Sequence, residues 1–228
     1  MSSLLSLIGN TPMVELRRLV KPGWARVLVK LEYMNPTGSH KDRIALYMIR
    51  KAEREGLLKP GGLVVEASSG NTAISIAWVA RLLGYKACVV VDERVAPAKV
   101  ALIRALGAEV VFAPPVDPSH PKYYRNLARR IAEERGGVYL NQFENEANVQ
   151  AHYETTAKEI WEQTGGKIDA FVMGVGTGGT ITGVGKFFKG EKARLQSNCR
   201  DTKGKSTSWR KEGRVHRRSC RILHTSSN

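Results

Sequence analysis

Between residues 27 and 189, short apolar runs alternate with segments whose apolar residues recur at helical spacing, and this alternation constrains the fold more than any other feature. The runs at 27–32, 63–67, 86–91, 109–113, 138–141 and 168–173 read as strands. The segments at 39–55, 71–83, 96–106, 121–135 and 144–164 read as helices, and another begins at 180–188. Gly56, Gly84 and Gly107 sit where the helices before them should stop. Strands alternating with helices of this length imply βαβ units and a mostly parallel sheet. Unbroken apolar strands, of which Ala87-Cys-Val-Val-Val91 is one, imply that both sheet faces are covered. Cys88 therefore reads as a core residue, not a nucleophile.

The alternation stops after Gly190. Residues 191–228 hold few large apolar residues and no sustained period, so they lack the surface to order themselves. They carry +8 of the net charge of +15. Three readings stand for them: an unstructured tail, a basic arm for nucleic acid, or the product of a shifted reading frame. Aromatic residues are sparse there beyond Trp209, which counts against nucleic acid as a partner. No run approaches membrane-spanning length, the first residues lack a signal-peptide pattern, and Cys88, Cys199 and Cys220 are too few for a disulfide framework. A cytoplasmic, reducing location is expected. No metal site is assigned.

Three strand-to-helix turns carry chemistry. In Asn35-Pro-Thr-Gly-Ser-His-Lys-Asp-Arg-Ile-Ala45, a Pro and a Gly make the turn, Ser39 reads as an N-cap, and Lys41 falls in the first helical turn. A helix N-terminus is the unfavourable end for a cation. Partly desolvated there, an ammonium loses its proton more easily and becomes a nucleophile toward carbonyl groups. In Glu66-Ala-Ser-Ser-Gly-Asn-Thr72, hydroxyls, an amide and backbone N–H groups open toward the carboxyl end of a strand, an arrangement suited to a carboxylate. In Gly174-Val-Gly-Thr-Gly-Gly-Thr-Ile-Thr-Gly183, glycines let backbone N–H groups approach a phosphate. The last stretch also has spacings like the dinucleotide fingerprint, but it comes late in the chain and no acidic residue follows at the usual distance after an expected strand. An aldehyde-reactive lysine, a carboxylate cradle and a phosphate cradle together suggest pyridoxal 5'-phosphate acting on an amino acid.

Together with Gly9-Asn-Thr-Pro12, Ala105-Leu-Gly-Ala-Glu109 and Asn141-Gln-Phe143 followed by Asn145 and Asn148, these motifs resemble the cysteine synthase family of fold type II pyridoxal-phosphate enzymes, over residues 3–190. The resemblance implies a two-lobed α/β fold with doubly wound, mostly parallel sheets. Residues 1–34 and 141–190 would form the larger cofactor domain, 35–140 the smaller substrate-side domain, and 191–228 a non-matching tail. It implies that Lys41 binds the cofactor covalently and later moves the substrate Cα proton. Asn71 would hydrogen-bond the cofactor's phenolic oxygen, and Gly176, Thr177, Gly178, Gly179 and Thr180 its phosphate. Ser68, Ser69, Gly70, Thr72 and Gln142 would hold the substrate carboxylate. The family usually has Thr at position 68 and a small apolar residue at position 40, so Ser68 and His40 are departures; a general-base role is open to His40.

The implied reaction is β-replacement: sulfide displaces the leaving group of O-acetyl- or O-phosphoserine to give L-cysteine, in a homodimer by family habit. Cystathionine β-synthase and serine/threonine dehydratase activities are alternatives within the same cofactor class. A non-catalytic remnant with a basic binding tail is the alternative outside it. The family's later βα units and its late serine have no match in residues 191–228, which leads to the expectation of a truncated chain with impaired activity.

Overall fold

The computed structural model describes residues 3–190 with their side chains and, beyond them, the backbone alone of residues 191, 195–201, 206–207 and 219–225. In chain order it contains β1 (Met13–Glu15), β2 (Leu28–Lys30), α1 (Lys41–Arg54), β3 (Leu63–Ala67), α2 (Asn71–Leu82), β4 (Lys86–Asp92), α3 (Pro97–Ala105), β5 (Glu109–Ala113), α4 (Tyr124–Glu134) and β6 (Val138–Tyr139). There follow α5 (Glu146–Ala151), α6 (Ala157–Thr164), β7 (Ala170–Val175), α7 (Gly179–Glu191), β8 (Leu195–Asp201), β9 (Ser206–Thr207) and β10 (Ser219–Thr225). Contacts divide the chain into two units: Met1–Pro12 with Leu31–Ala147, and Met13–Lys30 with Asn148–Asn228. The domain boundaries expected from the sequence are at 34/35 and 140/141.

The first unit is built on a sheet of order β5-β4-β3-β6, parallel throughout. Side chains alternate between its faces. Val65, Ala67, Cys88 and Val90 turn to one face and join Ala128, Ile131 and Ala132 of α4. The intervening Val64, Glu66, Val89 and Val91 have no exposure, and α2 lies against β4. Covering both faces is what the unbroken apolar strands required, and each fully buried valine contributes about 1.5 kcal/mol or more. From β3 the chain builds outward through β4 to β5. It then returns through α4 to place β6 on the other side of β3. The strand order therefore reverses between β3 and β6, and in such sheets ligands bind in the crevice at the carboxyl ends beside the reversal.

In the second unit, β1 and β2 form an antiparallel pair, with Met13 opposite Lys30. The sequence suggested no strand at β1. Lys30 Nζ lies 2.7 Å from a carboxylate oxygen of Glu159 and 3.0 Å from Gln163 Oε1, which fastens β2 to α6. Ala157, Ile160, Val184, Phe187 and Phe188 form the apolar core, with Met13, Trp161, Ile168 and Phe171 against it. The helix expected at 144–164 starts at Glu146 and opens into one π-helical turn at His152–Thr156. A further difference lies after Gly190, where the sequence suggests no ordered element. There β10 pairs antiparallel with both β7 and β8, and β9 pairs with β8. The ladder hydrogen bonds complete an edge that β7 would otherwise present bare. This second sheet is antiparallel, so the parallel expectation describes the first unit.

Candidate active site

Lys41 is the first residue of α1, and the turn before it is held by its neighbours in the sequence. Asp42, fully buried, accepts hydrogen bonds from Thr37 N at 2.8 Å, from the Thr37 hydroxyl, and from Ser75 Oγ of α2 at 2.6 Å. The helix cap is His40, not Ser39, although Ser39 Oγ accepts from Lys41 N at 3.2 Å. Behind the turn, Arg43 is fully buried and forks onto Glu32, with Nε 2.8 Å from Oε2 and Nη2 2.7 Å from Oε1. Thr11 Oγ1 donates to Glu32 Oε1 at 2.6 Å, and Asn35 Nδ2 donates to Glu32 Oε2 at 3.1 Å. Asn35 Oδ1 accepts from Gly9 N at 2.9 Å. The Gly9–Pro12 and Asn35–Ala45 motifs are thus one structure. Buried charge-assisted bonds of this kind are directional, and they fix where α1 begins.

Burial lowers the Lys41 ammonium to a pKa of about 8, opposed by the charge of Glu66. About a tenth of the amine is then neutral at pH 7, against a few parts in ten thousand for an ordinary lysine. His40 is pushed down to about 4, by burial first and by Lys41 next, so it is neutral at pH 7. Glu66, at the end of β3, has no exposure and is pushed up to about 8 by burial.

The β3–β6 reversal gathers the residues expected to hold a carboxylate. Thr72, in the first turn of α2, donates to Gln142 Oε1 at 2.7 Å. Gln142 Nε2 donates to Ala67 O at 3.4 Å. Ser68 Oγ accepts from Gly70 N at 3.2 Å. Ser69 Oγ accepts from Asp92 N at 2.7 Å, tying the turn to the end of β4. Asn71 opens α2 and is exposed. Asn141, with φ 47°, turns the chain at the end of β6, in a conformation that asparagine tolerates.

In the second unit, residues 176–180 join β7 to α7. Gly178 has φ +84°, and a Cβ at Gly174, Gly176 or Gly178 would meet no atom within 4 Å. Gly179 is the opposite case: a Cβ there would lie 1.8 Å from Asn148 Oδ1. Asn148 Nδ2 donates to Thr177 Oγ1 at 2.9 Å. Thr180 Oγ1 is hydrogen-bonded to His152 Nε2 at 3.1 Å, and His152 Nδ1 to Thr156 Oγ1 at 2.9 Å. His152 is fully buried and sits on the π-helical turn.

The structure therefore brings Lys41 into electrostatic reach of the Ser68–Thr72 turn through Glu66, and joins Thr72 to Gln142. Gly176, Thr177, Gly178, Gly179 and Thr180 form a separate loop in the second unit. The sequence did not single out Glu66 or His152. Glu66 stood inside an apolar strand, where a charge is a signal in itself. His152 gave no sequence signal, because the π turn that aims it is invisible to helical periodicity. Cys88, buried and pushed up to about 11 by burial, fits its reading as a core residue. In the first unit, the Lys41 amine, lowered by burial, fits a group bearing an aldehyde; in the second, taken by itself, the turn with open space at Gly174, Gly176 and Gly178 fits a phosphate. Among the described residues, no helix is long and apolar enough to cross a membrane.

The family model described as "Pyridoxal-phosphate dependent enzyme" matches residues 4–206. The chain is 46% identical over 205 residues to cysteine synthase 1 of Emericella nidulans, covering 89% of this chain and 55% of the relative. It is 49% identical over 187 residues to cysteine synthase 1 of Neurospora crassa, covering 82% and 50%. Its structure is similar to the crystal structure of O-ureido-L-serine synthase, with TM-score 0.79 and 41% identity over 85% of this chain and 60% of that one. A hydrogen sulfide-producing enzyme from Fusobacterium nucleatum matches with TM-score 0.77 and 38% identity, over 85% and 63%. The chain spans between half and two thirds of the length of these proteins.

Proposed function

We propose that this chain, which belongs to the pyridoxal-phosphate dependent enzyme family, carries out β-replacement on an activated serine, O-acetyl- or O-phosphoserine, with sulfide, giving L-cysteine and acetate or phosphate. The observation that carries the reading is the Lys41 amine, held at the start of α1 and lowered to about 8 by burial. Likeness to the two cysteine synthases supports the choice of reaction.

When bound, pyridoxal phosphate supplies an electron sink for negative charge developing at the substrate Cα. Lys41 would hold the cofactor through its amine, and the same amine is placed to take the substrate Cα proton. A pKa near 8 suits both tasks, because the amine accepts a proton readily and gives it up near neutral pH. Ser68, Ser69, Gly70, Thr72 and Gln142 orient the substrate carboxylate, so that the Cα–H bond points at Lys41. Asn71, at the start of α2, would donate to the cofactor's phenolic oxygen. Gly176, Thr177, Gly178, Gly179 and Thr180, at the N-terminus of α7, would hold its phosphate. His152 and Asn148 act behind them by fixing Thr180 and Thr177. Residues 35–140 form the substrate-side domain, residues 1–34 and 141–190 the cofactor domain. The protein works in the cytoplasm as a homodimer.

The test adds pyridoxal phosphate to the purified chain and records visible absorbance, with Lys41→Ala alongside. A band that depends on Lys41, shifts on O-acetylserine and returns with sulfide is expected, and Lys41→Ala should lower turnover about a thousandfold or more. A chain with no Lys41-dependent band would overturn the proposal.

A further inference from the structure

A carboxylate with no exposure at the end of a strand needs an explanation, because burying a charge is costly unless something uses it. Glu66 Oε1 accepts from Ala67 N at 3.0 Å, and Oε2 from Gln142 N at 3.4 Å. These two backbone groups lie on opposite sides of the β3–β6 reversal. One begins the turn that carries Ser68–Thr72, and the other belongs to Gln142. Glu66 thus braces both halves of the carboxylate cradle from beneath. Lys41 of α1 is the charged group that bears on it; Tyr139 of β6 lies on the opposite face of the sheet with Val65 and Ala67, and is pushed up by burial first and by the charge of Glu66 next.

We infer that Glu66 is a positioning residue that holds the two turns of the substrate cradle in register and sets the charge of the Lys41 amine. The inference rests on the reading of Lys41 as the cofactor-bearing lysine. Glutamine at this position could accept from only one of the two N–H groups and would turn its own N–H toward the other. Ionised Glu66 favours the charged form of Lys41, and the neutral substitution removes that support.

The experiment leaves the cofactor out. Carbamylation of Lys41 by cyanate is followed across pH by peptide mass spectrometry, in the wild-type chain and in Glu66→Gln. Only the neutral amine reacts, so the midpoint reports the protonation of Lys41 directly. The expected result is a lower midpoint in Glu66→Gln than in the wild-type chain, together with a raised KM for O-acetylserine in the loaded enzyme. An unchanged midpoint in a folded variant would overturn the inference, since a merely structural carboxylate would not move it. Should Glu66→Gln fail to fold, Glu66→Asp draws the charge back by one methylene. Its midpoint should fall by less, and no fall at all would count against the inference. Cyanate reactivity is measured without turnover, so failure of the β-replacement reading and failure of this one are separate results.

Discussion

The two units hold their candidate functional residues by opposite means. In the first, the residues stand on buried polar and ionic pairs: Asp42 with Thr37 and Ser75, Arg43 with Glu32, and Glu66 with two backbone N–H groups. In the second, uncharged hydrogen bonds from Asn148 and His152 fix Thr177 and Thr180, and the rest is apolar packing and side chains that are missing. Phe187 and Phe188 anchor α7, and Gly179 and Gly183 let it approach its neighbours. A Cβ at Gly183 would lie 2.5 Å from Val149 O and 2.8 Å from His152 Cβ. The difference follows the tasks proposed for the two sets of residues. A reactive amine and a carboxylate cradle need directional partners that set angle and proton affinity. A phosphate loop needs its backbone exposed at close range, and close packing of glycine achieves that.

The largest expected effect breaks the ionic frame. Arg43→Met removes the fork onto Glu32 and leaves that carboxylate without its guanidinium. Breaking a buried pair costs about 3–5 kcal/mol. Glu32 keeps 22% of its side-chain exposure, so the lower end, about 3 kcal/mol, is expected. A lowered urea midpoint checks it, and hydrogen exchange should show the loss in α1 rather than α7.

The second prediction uses pH. Glu66 is raised when folded, so its contribution to stability is full below about pH 4.5 and is lost as pH rises through about 8. Lys41 is lowered when folded, so its contribution is full above about pH 10.5 and is lost as pH falls through about 8. Together they give the first unit a stability minimum near pH 8. Hydrogen exchange of β3 and α2 peptides, corrected for intrinsic rates, should show opening become easier from pH 5 to 8. Glu66→Gln should flatten that limb, and a limb that persists in the variant would refute the assignment to Glu66.

Much of the first unit was legible in the sequence, because its strands are unbroken apolar runs and its helices end at glycines. Lys41 was legible as a candidate too, since a cation in a first helical turn breaks a local rule. What stayed hidden is which charges are inside. Arg43 and Asp42 occur on a helix where charge ordinarily marks the solvated face, and only the tertiary partners Glu32 and Ser75 show otherwise. Ser39 read as the cap because its type favours that position, whereas the structure caps α1 with His40. In the second unit, the antiparallel pairing of β7 depends on a strand more than forty residues further on, and no local pattern reports such a partner. His152 was hidden by the same limit: one π turn shifts its side chain off the helical period.

The smallest effect falls on the second unit and sharpens the contrast. Gly179→Ala would place a methyl carbon 1.8 Å from Oδ1 of Asn148, a side chain that is itself 2% exposed and bonded to Thr177. Asn148 must move, and an overpacked site of this kind costs about 1–3 kcal/mol. The displaced Asn148 also releases Thr177, so the loop loses its shape for phosphate. Weaker uptake of pyridoxal phosphate is therefore expected in Gly179→Ala, measured as the concentration needed to develop the Lys41-dependent band. The cyanate midpoint of Lys41 should stay at its wild-type value, because nothing in the ionic frame has changed. A variant in which both readings move together would show that the two means of holding a site are not independent in this chain.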